Sequence, residues 1–121
     1  MTDKKNGLII QHLNNGGRVE THYKDGVKEG KQTCWNANGN ISYEQNYSKG
    51  FENGVQTRWG DSGQKSNECY KKMGAYHGTD TEWHPNGQKR MERHFKDDYP
   101  YGIWTEWDEN GKVVFEHDYD D

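Results

Sequence analysis

Apolar and polar residues alternate with period two over short stretches of this chain, and clusters of Asn, Asp and Gly interrupt the alternation. Thr81 and Trp83 share one parity, as do Ile103, Thr105 and Trp107, Val55, Thr57 and Trp59, and Leu8 and Ile10. Ile41, Tyr43 and Tyr47, and later Val113, Phe115 and Tyr119, follow a similar alternation. Period two carried by Thr, Val, Ile and aromatics predicts β-strands. The pairs Asn38-Gly39, Asn86-Gly87 and Asn110-Gly111 favour positive φ and so close hairpins between those strands. No amphipathic helical segment of useful length is present, and Asp97-Asp98 and Asp108-Glu109 fall in predicted turns.

The strand pattern is itself periodic. Gly7, Gly30, Gly54, Gly78 and Gly102 recur at spacings of 23, 24, 24 and 24, and a second Gly follows each by nine residues. Trp35, Trp59, Trp83 and Trp107 stand five residues after the first Gly, with His12 in the opening copy. Glu20, Glu44, Glu68, Glu92 and Glu116 hold a strict spacing of 24. Tyr23, Tyr47, Phe95 and Tyr119 form another row, broken at Lys71. Thirteen of the 15 Gly and four of the five Trp lie on this grid, which marks a repeat architecture.

The predicted fold is all-β: an elongated single-layer antiparallel meander of about five stacked 24-residue β-hairpins, with units near 7–29, 30–53, 54–77, 78–101 and 102–121. Identical register would place each Trp beside the next, so that the rings form ladders along one face and serve as the core. Val27, Phe51, Ala75 and Tyr99 share an apolar column, which makes Tyr99 a core candidate. The first unit departs most, with His12 for Trp and one residue fewer before its Glu, and reads as a cap. The final Asp118-Tyr119-Asp120-Asp121 would discourage edge-to-edge pairing by charge.

Composition alone would point elsewhere. Leu, Ile, Val and Phe supply 14 of 121 residues, below the ~20% at which disorder is suspected. A net charge of only −4 and an aromatic content of 13% oppose that reading, and the repeat overrides it. No apolar run approaches the ~18 residues of a membrane span. The lack of a basic-then-apolar start and the two cysteines, Cys34 and Cys69, fit a reducing, cytoplasmic setting.

The stretch Gly-Thr-Asp-Thr-Glu-Trp-His-Pro-Asn-Gly-Gln-Lys (78–89) with Glu92 and Phe95, and the stretch Gly-Ile-Trp-Thr-Glu-Trp-Asp-Glu-Asn-Gly-Lys (102–112), resemble the MORN-variant repeat. Such arrays occur in bacterial YwqK-type antitoxin proteins. The resemblance covers about residues 7–119 and implies an all-β hairpin array without catalytic residues that neutralises a partner toxin. Ordinary MORN arrays imply the alternative, a structural or membrane-peripheral scaffold. A fold this widely shared does not fix a function.

The residues themselves disfavour catalysis. His12, His22, His77, His84, His94 and His117 form no metal-ligand spacing. The Glu row belongs to equivalent positions of successive units and reads as structural, pairing across strands with Lys65, Lys89 or Arg90. Cys34 and Cys69 occupy unlike repeat positions, with no defining His nearby. No Gly-rich phosphate cradle is present, and neither a cofactor nor a metal is expected.

Residues that break the repeat carry more information. Trp104 stands where other units have Ile9, Gln32, Gln56 and Asp80, and Tyr99-Pro100-Tyr101 adds aromatics in the loop before it. Tyr101 and Trp104 read equally as an exposed binding patch or as rings covering the sheet end. Residues 97–121 hold nine Asp or Glu against one Lys, a net charge of −8, while residues 1–96 carry +4. This acidic end either solubilises the chain or meets a basic partner such as a nuclease toxin. The expected contact is the C-terminal hairpin: Tyr101, Trp104, Glu106, Asp108 and Glu109. A protein partner is expected and nucleic acid is not. A membrane partner is disfavoured, and Arg58, Lys65, Lys89 and Arg90 are the material available for one.

Overall fold

In the computed structural model, residues 4–120 are described, and among them there are strands and turns with no helix. The strands are β1 (Gly7–His12), β2 (Arg18–Lys24), β3 (Val27–Trp35), β4 (Ile41–Ser48), β5 (Phe51–Glu52), β6 (Gly54–Trp59) and β7 (Lys65–Lys72). After these come β8 (Ala75–Tyr76), β9 (Gly78–Trp83), β10 (Lys89–Lys96), β11 (Tyr99–Pro100), β12 (Ile103–Trp107) and β13 (Val113–Asp118). One open antiparallel sheet runs in sequence order, β1-β2-β3-β4-β6-β7-β9-β10-β12-β13, with β1 and β13 at its edges. The two-residue strands β5, β8 and β11 pair only with β4, β7 and β10. The predicted hairpin meander is therefore the fold, and Asp121 of the acidic tail lies outside the described residues.

Two turn types alternate on opposite sides of the sheet. On one side Gly16, Gly39, Gly63, Gly87 and Gly111 alone take positive φ, 85–91°, each donating its N–H to the carbonyl three residues back. The preceding Asn is not left-handed, so Asn-Gly closes these hairpins through a longer turn ending in a left-handed Gly. On the other side both central residues are left-handed: Asp25-Gly26, Lys49-Gly50, Met73-Gly74 and Asp97-Asp98. These are type I′ turns, and Lys-Gly, Met-Gly and Asp-Asp are weak signals for them.

The return strands β4, β7, β10 and β13 each carry a bulge near their start. Opposite Trp35, Trp59, Trp83 and Trp107 the register slips by one, leaving Ser42, Ser66, Arg90 and Val114 as the extra residues. β1 and β2 pair without a slip. The residue missing from the first unit is thus the bulge residue. The bulge also explains two ion pairs of the Glu row, whereas Glu20 meets Arg18 within β2 at 3.0 Å and Glu44 meets Lys31 across strands at 3.7 Å. Lys65 meets Glu68 at 2.8 Å and Lys89 meets Glu92 at 2.7 Å along the same strand, because the extra residue brings positions three apart onto one face. For Lys65 and Lys89 the expected cross-strand pairing is corrected to pairing along one strand, and Arg90 joins no ion pair among the described residues.

The rings do not share one face. The register puts the Trp row on the same face as an alternating column of Thr and Glu, in which Thr33 donates to Glu44 and Thr57 to Glu68. Tyr23, Tyr47, Phe95 and Tyr119 lie on the opposite face. The return strand separates consecutive tryptophans by two strand spacings, ~9.6 Å, beyond ring contact. Trp35 instead lies under the Arg18 guanidinium, 4.0 Å from the ring centroid, and opposite Ile41. None of the four row tryptophans is fully buried. The expectation that they form the core is overturned, and so is that for Tyr99, which is 76% exposed at the outer edge of the type I′ side.

The second face holds the most buried positions, and they are mostly polar. Thr21, Gln45, Gln56, Cys69 and Asp80 are buried there. Across five strands the side chains form a directional ladder. Cys69 Sγ donates to Gln56 Oε1 at 3.2 Å, and Gln56 Nε2 to Gln45 Oε1 at 2.6 Å. Gln45 Nε2 then donates to Gln32 Oε1 at 2.7 Å, and Gln32 Nε2 to Thr21 Oγ1 at 2.9 Å. Each amide fills its neighbour's acceptor, which satisfies polar groups that burial would otherwise penalise. Beyond Cys69 the column continues with Asp80, 2% exposed, held by Arg93 and by Asn67 Nδ2 at 2.8 Å.

Candidate functional site

The five residues expected at the contact belong to the last hairpin but not to one surface. Trp104 and Glu106 project from β12 onto the glutamine face, where Trp104 lies opposite His117 with the Arg93 guanidinium 5.4 Å from its ring centroid, and Glu106 lies opposite Met91 and Phe115. Tyr101 precedes β12 and leans on His94, at 5.7 Å between ring centroids, on the other face. Asp108 and Glu109 sit in the turn after β12. The sheet thus brings Trp104 and Glu106 together and separates them from Tyr101.

Trp104 is half-buried rather than displayed. Its ring packs 5.0 Å from Phe95 and 4.4 Å from Tyr119, and Nε1 donates to His94 O at 3.1 Å. With Tyr76 stacked on Phe95 at 5.0 Å, these rings close the end of the polar column with an aromatic cluster. Of the two readings of Trp104, the ring covering the sheet end is the one the geometry supports. Asp108 organises its turn: Oδ1 accepts the N–H groups of Asn110 and Lys112, each at 2.9 Å. The Lys112 bond and then the Asn110 bond hold the Asp108 carboxyl below its ordinary pKa.

A groove of about 270 Å³ opens beside this cluster, lined by Met91, Arg93, Trp104, Glu106, Phe115 and Tyr119. A more polar cavity of about 410 Å³ adjoins it, with Arg58, Asn67, Asp80, Glu82 and Arg90 in its lining, and Arg93 borders both. Asp80 and Arg93 escape sequence reasoning because they occupy different repeat positions, and only the strand register sets them face to face. The available signal was parity: Gln32, Gln56 and Asp80 hold one position, and Thr21, Gln45, Cys69 and Arg93 hold another.

The thiols and phenol of this face are not activated. Burial pushes the Cys69 thiol up to about 11 and raises that of Cys34, opposite to the shift a nucleophilic thiolate needs. Burial likewise pushes Tyr43 up to about 12. No group of three or more His, Cys, Asp or Glu able to hold a metal ion occurs among the described residues.

Against known families, the model described as MORN repeat variant matches residues 28–49, 76–97 and 100–121. The stretch between the first two matches is the one in which Lys71 interrupts the aromatic row. No curated protein matches the chain.

Proposed function

The chain belongs to the MORN repeat variant family, and from that premise we propose that it is a non-catalytic protein-binding module, more narrowly an antitoxin or immunity-type protein that occludes a basic toxin. The observation carrying this reading is the last hairpin, where a net charge of −8 over residues 97–121 coincides with exposed apolar side chains. Ile103, Val113, Val114, Phe115 and Tyr119 are all exposed there. Apolar surface supplies affinity, and complementary charge speeds encounter and selects a basic partner. Tyr101, Glu106 and Glu109 are contact residues in this proposal, while Trp104 and Asp108 shape the hairpin that presents them.

Capture from the native host, with mass identification of what co-purifies, tests the proposal. Phe115→Lys and Glu106→Lys should reduce recovery of a basic protein at least tenfold while the circular dichroism spectrum is unchanged. Recovery of nothing, or recovery indifferent to both substitutions and to salt, refutes it.

A second reading, a membrane-peripheral scaffold, has one observation in its favour. Along the type I′ side, exposed Val27, Phe51, Met73 and Tyr99 stand beside Lys24, Lys49, Lys72 and Lys96, which join no ion pair among the described residues. Basic and apolar side chains together suit an anionic lipid surface. By contrast, Arg58 lies on the glutamine face and Lys65 and Lys89 on the other, each lysine already paired. Co-sedimentation with phosphatidylserine vesicles that is lost on Phe51→Ser with Lys72→Glu would favour this reading.

A further inference from the structure

We propose that the groove beside Trp104 receives the guanidinium group of an arginine side chain presented by a protein partner, an inference that rests on the binding-module reading. Glu106 is the anchor. It follows Cys34, Arg58 and Glu82 in the same repeat position, and it is the carboxylate of that column with apolar neighbours on both sides, Met91 and Phe115. Asn67 flanks Glu82 instead. Among the described residues the Glu106 carboxylate makes no hydrogen bond or ion pair, although the residue is half-buried. A carboxylate partly withdrawn from water among apolar groups gains most from a cation delivered to it.

The fold shows how the cation would sit. Tyr43 holds the position three repeats before Phe115, and the Arg58 guanidinium of the following strand covers its ring at 4.8 Å. Among the described residues β13 is an edge strand of the sheet, and no cation lies over the Phe115 ring as Arg58 lies over that of Tyr43. An arginine from a partner would take the place that Arg58 takes over Tyr43, stacking on Phe115 while its fork meets Glu106. Arg93 in the groove wall does not neutralise Glu106, because its Nε and Nη2 are both directed to Asp80 Oδ2. The surrounding hairpin remains strongly acidic.

Titration of the ¹⁵N-labelled 121-residue chain with Nα-acetyl-arginine methylamide tests the proposal, with the lysine and norleucine methylamides as matched probes. The arginine probe should shift the Glu106 and Phe115 amides and the Trp104 indole N–H saturably, with several-fold tighter binding than either other probe. Glu106→Gln should weaken it about tenfold, the loss expected of a charge-assisted hydrogen bond, and Phe115→Leu should do so through lost stacking. Equal binding of lysine or norleucine, shifts located elsewhere, or indifference to Glu106→Gln in a chain that keeps its dispersed spectrum overturns it. A chain that binds the probe in this manner but captures no partner refutes the module reading alone. Partner capture that is indifferent to Glu106→Gln refutes the arginine site alone.

Discussion

Replacing Gln45 by Leu interrupts the polar ladder at its middle member. Gln45 is 6% exposed, accepts from Gln56 Nε2 at 2.6 Å and from the Tyr43 hydroxyl, and donates to Gln32 Oε1 at 2.7 Å. Gln56 Nε2 retains Glu52 Oε2 at 2.9 Å in the variant, so its loss is partial. Gln32 Oε1 loses its donor outright. An orphaned acceptor costs about 1–3 kcal/mol and a lost net bond about 1 kcal/mol. The added apolar burial of Leu offsets roughly 1 kcal/mol. The expected destabilisation is therefore about 1–3 kcal/mol, which for a chain of this length corresponds to about 3–18 °C in Tm. Urea denaturation followed by tryptophan fluorescence and thermal melts followed by circular dichroism read the two quantities. A double-mutant cycle sharpens the test, because Gln32→Leu removes the group that Gln45→Leu orphans. The double variant should be more stable than the sum of the singles by about 0.5–2 kcal/mol. A single-variant loss below about 0.5 kcal/mol, or strict additivity, would refute the ladder as an energetic unit.

Three further outcomes follow from the geometry. Gly17→Ala should destabilise by about 1–3 kcal/mol, because the added Cβ would lie 2.5 Å from Trp35 O, whereas Gly39→Ala meets open space and should cost about 1–2 kcal/mol from its φ of 88° alone; urea midpoints compare the two. The lowered Asp108 pKa stabilises the native hairpin above the ordinary value of 3.8, and this contribution is lost as pH falls through the depressed native value. Asp108→Asn should flatten that acid limb of the melting profile, and an unchanged limb would contradict it. With its thiol pushed up to about 11, Cys69 is roughly one part in a thousand thiolate at pH 8. Iodoacetamide should leave it unmodified in the folded chain and alkylate it in denaturant; equal rates in both would show that the face is open.

The hairpin at 102–118 shows how far the sequence reaches toward a site. Trp104, out of step with the repeat, and the local charge of −8 singled out this hairpin before any coordinate was needed. Which side chains it offers was not legible. Trp104 turns inward because Phe95 and Tyr119 flank it, and those contacts depend on strands 9 and 15 residues away in sequence. Glu106 stands out only once Met91 and Phe115 are known to be its cross-strand neighbours.

What the sequence determined by itself is the local and periodic part: period-two alternation, left-handed Gly at fixed spacing, and so an open antiparallel meander. Such features need only a strand and its own turn. Burial was decided by the tertiary structure, because in a one-layer sheet a side chain is covered by what neighbouring strands place beside it. That is why Gln45, among Gln32, Gln56 and two tyrosines, is buried while Tyr99, beyond a two-residue turn at the sheet's side, is exposed. Low aliphatic content is compatible with this fold for the same reason: register, acting through hydrogen-bonded amides and cations on rings, covers positions that an aliphatic core would otherwise fill.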